Sequence, residues 1–240
     1  DFNKARKINK NTSLIEAPLF SLFSLWIISC FILFFALGDV PLRDFDEGTV
    51  ARVSYELSQS TGLNKLLPTI WGEPYLNKPP GLHWLIASFI NLSNVISRND
   101  ELPSEFVIRF VPALLSTFVV PIGGLIQWKL RPFDSTSCLA TSAILLTLLP
   151  IARHGRLAML DGTLITAMSS FWLIVISCHS QKKNRYRLFF AGLISSFLLL
   201  LKAPIMIPVG LSALIPILLN LKKWSFSGFK WYCLGILPGI

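Results

Sequence analysis

Side chains able to move protons or hold phosphate fall between the apolar runs of this 240-residue chain. They are the adjacent carboxylates Asp46 and Glu47, Lys78 ahead of two prolines, Arg153, Arg156 and Asp161 in one short stretch, and Lys202 alone between apolar blocks. A carboxylate can act as general base on an acceptor hydroxyl, while Lys and Arg neutralise a phosphate leaving group. Such a set suits a reaction on an amphiphile whose tail stays in lipid and whose phosphate lies at the interface. Each residue also has a plainer reading. Asp46 and Glu47 can be helix-start acids facing the macrodipole, Asp161 an N-cap, Lys78 a charge solvating a proline turn, Arg153 and Arg156 side chains reaching for headgroups, and Lys202 a hairpin charge.

The elements that would position these groups are membrane spans. Hydrophobic residues make up 52% of the chain and charged residues 15%, with a mean hydropathy of +0.59. A soluble domain carries roughly a quarter charged residues. The composition therefore excludes an ordinary soluble domain, a disordered chain, a disulfide scaffold and a nucleic-acid binder. Pro18 to Gly38, Phe110 to Trp128, Ser135 to Ala152 and Gly162 to Ser177 contain no Asp, Glu, Lys or Arg, and Leu188 to Asn220 is interrupted only by Lys202. That last run would make about 50 Å of helix, too long for one pass through a core of ~30 Å. It is read as two spans, 186–201 and 204–221, with a break at Lys202-Ala203-Pro204. The expected fold is an all-α polytopic membrane protein with about six crossings. A further apolar run begins near Trp231 and stops at Ile240. With a first residue that is Asp, residues 1–240 are expected to form one transmembrane module at the N-terminal part of a longer chain.

Charge supplies the orientation. Lys4, Arg6, Lys7 and Lys10 precede the first span, which places the N-terminus in the cytoplasm. If Leu82 to Ser97 does not cross, the loops with Lys129 and Arg131, with Lys182, Lys183, Arg185 and Arg187, and with Lys222, Lys223 and Lys230 fall on the same side. The net charge of +9 then sorts into a basic cytoplasmic face and a nearly balanced outer face, with no nucleic acid required. Residues 39–104 become an extracytoplasmic loop, and Leu82, Leu85, Ile86, Phe89, Leu92 and Ile96 recur as on a helix lying at the interface. Within the loop, Asp44 is expected to cap a short helix, with Glu47 completing a capping box. That helix carries a Val50, Val53, Leu57 stripe opposite Arg52, Glu56 and Gln59, and Thr61-Gly62 ends it. Trp71, Gly72, Pro74, Asn77, Pro79 and Pro80 then read as a loop.

His83, His154 and His179 are isolated, and Cys30, Cys138, Cys178 and Cys233 lie within spans without a CxxC. No metal-ligand set is identified, so the cofactor is unassigned and a divalent cation stays open. Asn91-Leu92-Ser93 matches a glycosylation sequon on an interfacial helix and is read as chance.

Five stretches in order carry a resemblance: Asp46-Glu47 in RDFDEGTVARVSYEL, Trp71-Gly72 leading to Lys78-Pro79-Pro80, EFVIRFVP from Glu105, RLAMLD from Arg156 to Asp161, and Lys202-Ala203-Pro204. From about Leu14 to Leu221 the chain resembles the GT-C membrane glycosyltransferases of the protein O-mannosyltransferase and lipid A aminoarabinose transferase type (glycosyltransferase family 39-like). The resemblance implies a GT-C-like transmembrane helix bundle with amphipathic interfacial helices in the first extracytoplasmic loop. It also implies transfer of a sugar from a polyprenyl-phosphate donor to a lipid, glycan or protein acceptor at that face, with inversion. By position, Asp46 is the base, Asp161 its helper and Glu47 the other member of the acidic pair, while Lys78, Arg156 and Lys202 bind donor phosphate. The chain departs from its relatives at Thr49 and Val50, Asn77 and Ala203. The expected location is a bacterial plasma (inner) membrane, with the site outside. The alternative is a multi-pass transporter or lipid flippase, against which the nearly charge-free spans count.

Overall fold

The computed structural model describes residues 17–43, 45–97, 102–178, 185–209, 212 and 226–239. Its ten longer helices, counted among the described residues, are α1 (Leu19–Phe34), α2 (Asp46–Gln59), α3 (Gly81–Ser97), α4 (Glu105–Thr117), α5 (Val119–Leu130), α6 (Ser135–Thr147), α7 (Leu149–His154), α8 (Leu160–Cys178), α9 (Arg185–Lys202) and α10 (Phe226–Ile236). A two-stranded antiparallel hairpin, β1 (Thr69–Ile70) with β2 (Glu73–Pro74), is the only sheet among these residues.

Three stretches are long and apolar enough to cross a membrane: Glu105–Leu130, Leu160–Ser177 and Arg185–Val209, with α1 and α6 as shorter apolar helices. The span expected from Phe110 begins five residues earlier, at Glu105, and so includes Arg109. The run expected to continue to Ala152 breaks at Leu148, whose ψ is 112°. Pro150 follows in the first turn of α7, the one part of a helix that tolerates a missing N–H. At Lys202 the helix gives way to a 3-10 turn, Ala203–Ile205, as the proline there requires. Most of the second span expected at 204–221 lies outside the described residues.

The α9–α10 pair runs parallel, since Gly192 meets Gly235 while Ser196, one turn on, meets Gly239. A Cβ on Gly192 would lie 2.9 Å from the Gly235 Cα. Close backbone approach of this kind is how helices associate in lipid, where burying apolar surface brings no gain.

The loop helices differ from expectation in what they pack against. Val50 of α2, Leu82, Ile86 and Ile90 of α3, Ile108 of α4, Ala158, Leu164 and Phe171 around α8, and Leu198 and Leu201 of α9 form one buried core. The α3 stripe thus faces protein, and Phe89 stacks on Phe110 with centroids 4.2 Å apart. Only the distal Leu92, Val95 and Ile96 stay exposed. A helix with one apolar face takes the nearest apolar partner, and the shared core fixes the loop on the bundle.

Candidate active site

Helix α2 begins at Asp46, and its N-cap position is Phe45, with a φ of +64° and no side-chain cap. Asp44 lies outside the described residues. Glu47 does not close a simple capping box. Its Oε2 accepts the Arg43 N–H at 3.0 Å, but the carboxylate turns inward and is fully buried. There Arg109 grips it with two donors, Nε to Oε1 and Nη2 to Oε2, both at 2.8 Å. The Ala158 N–H adds a bond to Oε1 at 2.7 Å. Arg109 spends its other protons on the carbonyls of Leu37, Val40 and Pro41. Burial alone would raise the Glu47 pKa, but the guanidinium and the two backbone N–H groups outweigh it and hold the carboxyl below its ordinary range. One ion pair therefore joins the end of α1, the start of α2, α4 and the turn before α8.

That knot brings the two exposed carboxylates to one end of the bundle. Asp46 is the exposed neighbour of Glu47, and Asp161, also exposed, stands three residues after Ala158 in the first turn of α8. The turn is seated by glycines. A Cβ on Gly162 would lie 2.9 Å from the Gly155 Cα, and both glycines touch Ser116 of α4. Thr166 adds a hydrogen bond to the Leu115 carbonyl at 2.9 Å. Half-buried Arg156 donates through Nη2 to the Phe35 and Ala36 carbonyls at the end of α1. It serves as a cap on that span. Arg153 is exposed.

Further contacts tie down the stretches that carry the other basic residues. His83, in the first turn of α3, is buried, with Nδ1 3.3 Å from the Ser54 hydroxyl, a hydrogen bond to the Val50 backbone and an edge contact with Tyr75. Val50 lies one turn from Asp46. Lys78 is exposed and close enough to His83 for its charge to be felt there. Gly81 packs so tightly on α9 that a Cβ would stand 2.7 Å from the Leu200 carbonyl oxygen. Lys202, exposed, follows two residues later.

Burial, with help from the Lys78 charge, lowers the His83 pKa from 6.5 to about 4. A base whose folded pKa is depressed stabilises the fold fully above its unfolded pKa, and that stability is lost as pH falls through the folded value. The expected outcome is a loss of about 3 kcal/mol between pH 6.5 and pH 4, at 1.36 kcal/mol per unit. Thermal unfolding of the detergent-solubilised protein across this range should show it, and His83→Gln should flatten that part of the profile. An unchanged profile in His83→Gln would remove the assignment.

Neither Arg109 nor His83 stands out in the sequence as a site residue. Arg109 had a usable signal: a cation followed by nineteen residues without a charge, inside a 26-residue apolar stretch, requires an anionic partner. His83 had none, because its partners on α2, Ser54 and Val50, sit about 30 residues away. Among the described residues no three His, Cys, Asp or Glu side chains gather as a metal site would need.

A family model described as dolichyl-phosphate-mannose-protein mannosyltransferase matches residues 77–238, more than half of the chain. No curated protein and no solved structure matches it. The matched stretch opens one residue before Lys78 and takes in Arg109, Arg156, Asp161 and Lys202, while Asp46 and Glu47 lie ahead of it.

Proposed function

The chain belongs to the dolichyl-phosphate-mannose-protein mannosyltransferase family, and on that premise we propose that it moves a sugar from a polyprenyl-phosphate carrier to an acceptor at the extracytoplasmic membrane face. It is a glycosyltransferase of mannosyl type and a multi-pass integral membrane protein. Asp46 takes the proton of the acceptor hydroxyl, and that oxygen attacks the anomeric carbon. The bond from that carbon to the phosphate oxygen breaks with inversion, and polyprenyl phosphate leaves with the electron pair. Asp161 orients the acceptor, and Lys78, Arg156 and Lys202 meet the charge that grows on the phosphate. Glu47, with both oxygens held by Arg109 and backbone N–H groups, acts as a positioning residue beneath Asp46. The distribution of Lys and Arg favours an N-terminus in the cytoplasm, and a bacterial plasma membrane is the proposed location.

The observation that supports this reading is the Glu47 knot, which ties the stretch bearing Asp46 to the turn before Asp161, and the Gly81–Leu200 contact joins the chain after Lys78 to the end of α9 before Lys202. The test is transfer by the protein reconstituted in vesicles with mannosyl-phosphoryl polyprenol and a hydroxyl acceptor. Lys202→Gln is expected to raise the donor KM about ten-fold or more, the loss of one hydrogen bond to a charged group, with stability unchanged because the side chain is exposed. Donor that crosses the bilayer with its sugar still attached, and no product in any acceptor, would overturn the reading.

A further inference from the structure

Five large apolar side chains stand exposed within a short piece of the loop that is not a span: Leu63 at 83%, Leu66 at 61%, Leu67 at 48%, Trp71 at 73% and Leu76 at 77%. Leu63 and Leu66 are three apart in the 3-10 helix Gly62–Leu66, so they lie one above the other. Leu67 and Leu76 are brought opposite each other by the hairpin. The Tyr75 N–H donates to the Pro68 carbonyl at 2.8 Å, which extends the Thr69–Pro74 register by one pair. Pro68 and Tyr75 are buried, and alternation along a strand sends their neighbours Leu67 and Leu76 to the other side.

The patch is rigid. Trp71 and Gly72 form the turn with φ of +54° and +80°, and the Glu56 carboxylate holds them. Glu56 accepts the N–H groups of Trp71 at 2.7 Å and Gly72 at 3.2 Å, the Thr69 hydroxyl at 2.8 Å, and Arg52 at 2.6 Å. The Arg52 guanidinium lies 4.0 Å from the centre of the Trp71 ring. The Lys65 carbonyl accepts from the Trp84 indole at 2.9 Å, which pins the 3-10 helix to α3. Exposure of these side chains is thus built in, and does not come from a loose loop.

We propose that residues 62–76 form an interfacial anchor, which seats its Leu and Trp side chains in the headgroup layer of the protein's own membrane while Arg52 and Lys65 engage acidic lipid phosphates. The depth of the patch relative to the apolar helices points to this occupant. The chain leaving the hairpin enters α3 at Gly81, five residues after Leu76, and Gly81 touches Leu200 near the C-terminal end of the apolar helix α9, two residues before the exposed Lys202. An apolar patch at that level, carrying a Trp and flanked by cations with long apolar stems, has the composition of a membrane-surface element. An exposed patch of this kind in a rigid segment marks an interaction surface.

The test replaces the native cysteines by serine, introduces Leu67→Cys or Leu76→Cys, and labels each with an environment-sensitive fluorophore. Gln59→Cys, exposed on the same loop, is the control. In vesicles of phosphatidylcholine with phosphatidylglycerol, both hairpin labels should emit blue-shifted light. Lipids spin-labelled near the headgroup should quench them at least three-fold more than they quench the control, and aqueous iodide should quench them less. Leaving out phosphatidylglycerol should weaken the lipid quenching. Strong iodide quenching at Leu67 and Leu76 would put the hairpin in water, and quenching by neither agent would put protein over it; either result overturns the proposal. Lipid quenching indifferent to phosphatidylglycerol would overturn the part given to Arg52 and Lys65.

Discussion

Glu47→Ala is expected to destabilise the protein by about 3–5 kcal/mol, the cost of leaving a buried charge without its partner. Arg109 is only 4% exposed and would keep its guanidinium in the bundle facing an emptied space. Three backbone carbonyls would still hold it, but the bidentate carboxylate would be gone and only the charge of Glu105, with no hydrogen bond, would act on it. The reverse substitution, Arg109→Ala, strands the Glu47 carboxylate with two backbone N–H groups and should cost a similar amount. The double variant should cost much less than the sum, because each single change already pays for the same broken pair. Thermal unfolding in detergent reads the effect as a fall of roughly 10 °C, at 2–4 °C per kcal/mol for a chain of this size. Acid should act in the same direction. The folded Glu47 pKa lies below the unfolded one, so its contribution is complete above about pH 4.5 and disappears as pH falls through the lowered value. Additive single and double variants would show that the pair is not a unit.

The parts of this molecule that were legible in its sequence are those set by neighbours along the chain. Apolar runs announce spans because a bilayer demands an unbroken length, and the Val50, Val53, Leu57 stripe of α2 follows from helical periodicity alone; all three are buried. Lys202-Ala203-Pro204 gave its break through the restriction that proline places on the chain before it. What stayed illegible depends on contacts between distant residues. Glu47 and Arg109 are 62 residues apart and Glu47 and Ala158 are 111 apart, so nothing local says that the second member of an acidic pair turns inward. The α3 stripe carried the right period, but periodicity reports that one face is apolar without saying whether lipid or protein covers it. The hairpin at Trp71-Gly72 was hidden for another reason. Its positive φ values are held by Glu56, 15 residues upstream, in place of the Asn-Gly or Asp-Gly turn chemistry that a short hairpin ordinarily shows.

Asp46→Asn is expected to lower kcat for sugar transfer by about 10²–10⁴, the range that a positioned general base contributes, while leaving the melting temperature unchanged. The two adjacent carboxylates differ in their surroundings. Asp46 is exposed and Glu47 is fully buried, and a helix turns by about 100° from one residue to the next, so the two cannot share a role. The amide of Asn keeps the shape of Asp46 and its place at the start of α2, but it cannot accept a proton from an acceptor hydroxyl. Donor binding should survive, because the phosphate groups sit on other elements, so KM for the donor should change far less than kcat. Asp161→Asn, given a part in orienting the acceptor, should instead act mainly on the acceptor KM. Measuring both constants and the melting temperature for each variant separates chemistry from fold: a stable Asp46→Asn protein with undiminished kcat would remove Asp46 as the base, and an unstable one would give it a share in the structural role assigned here to Glu47.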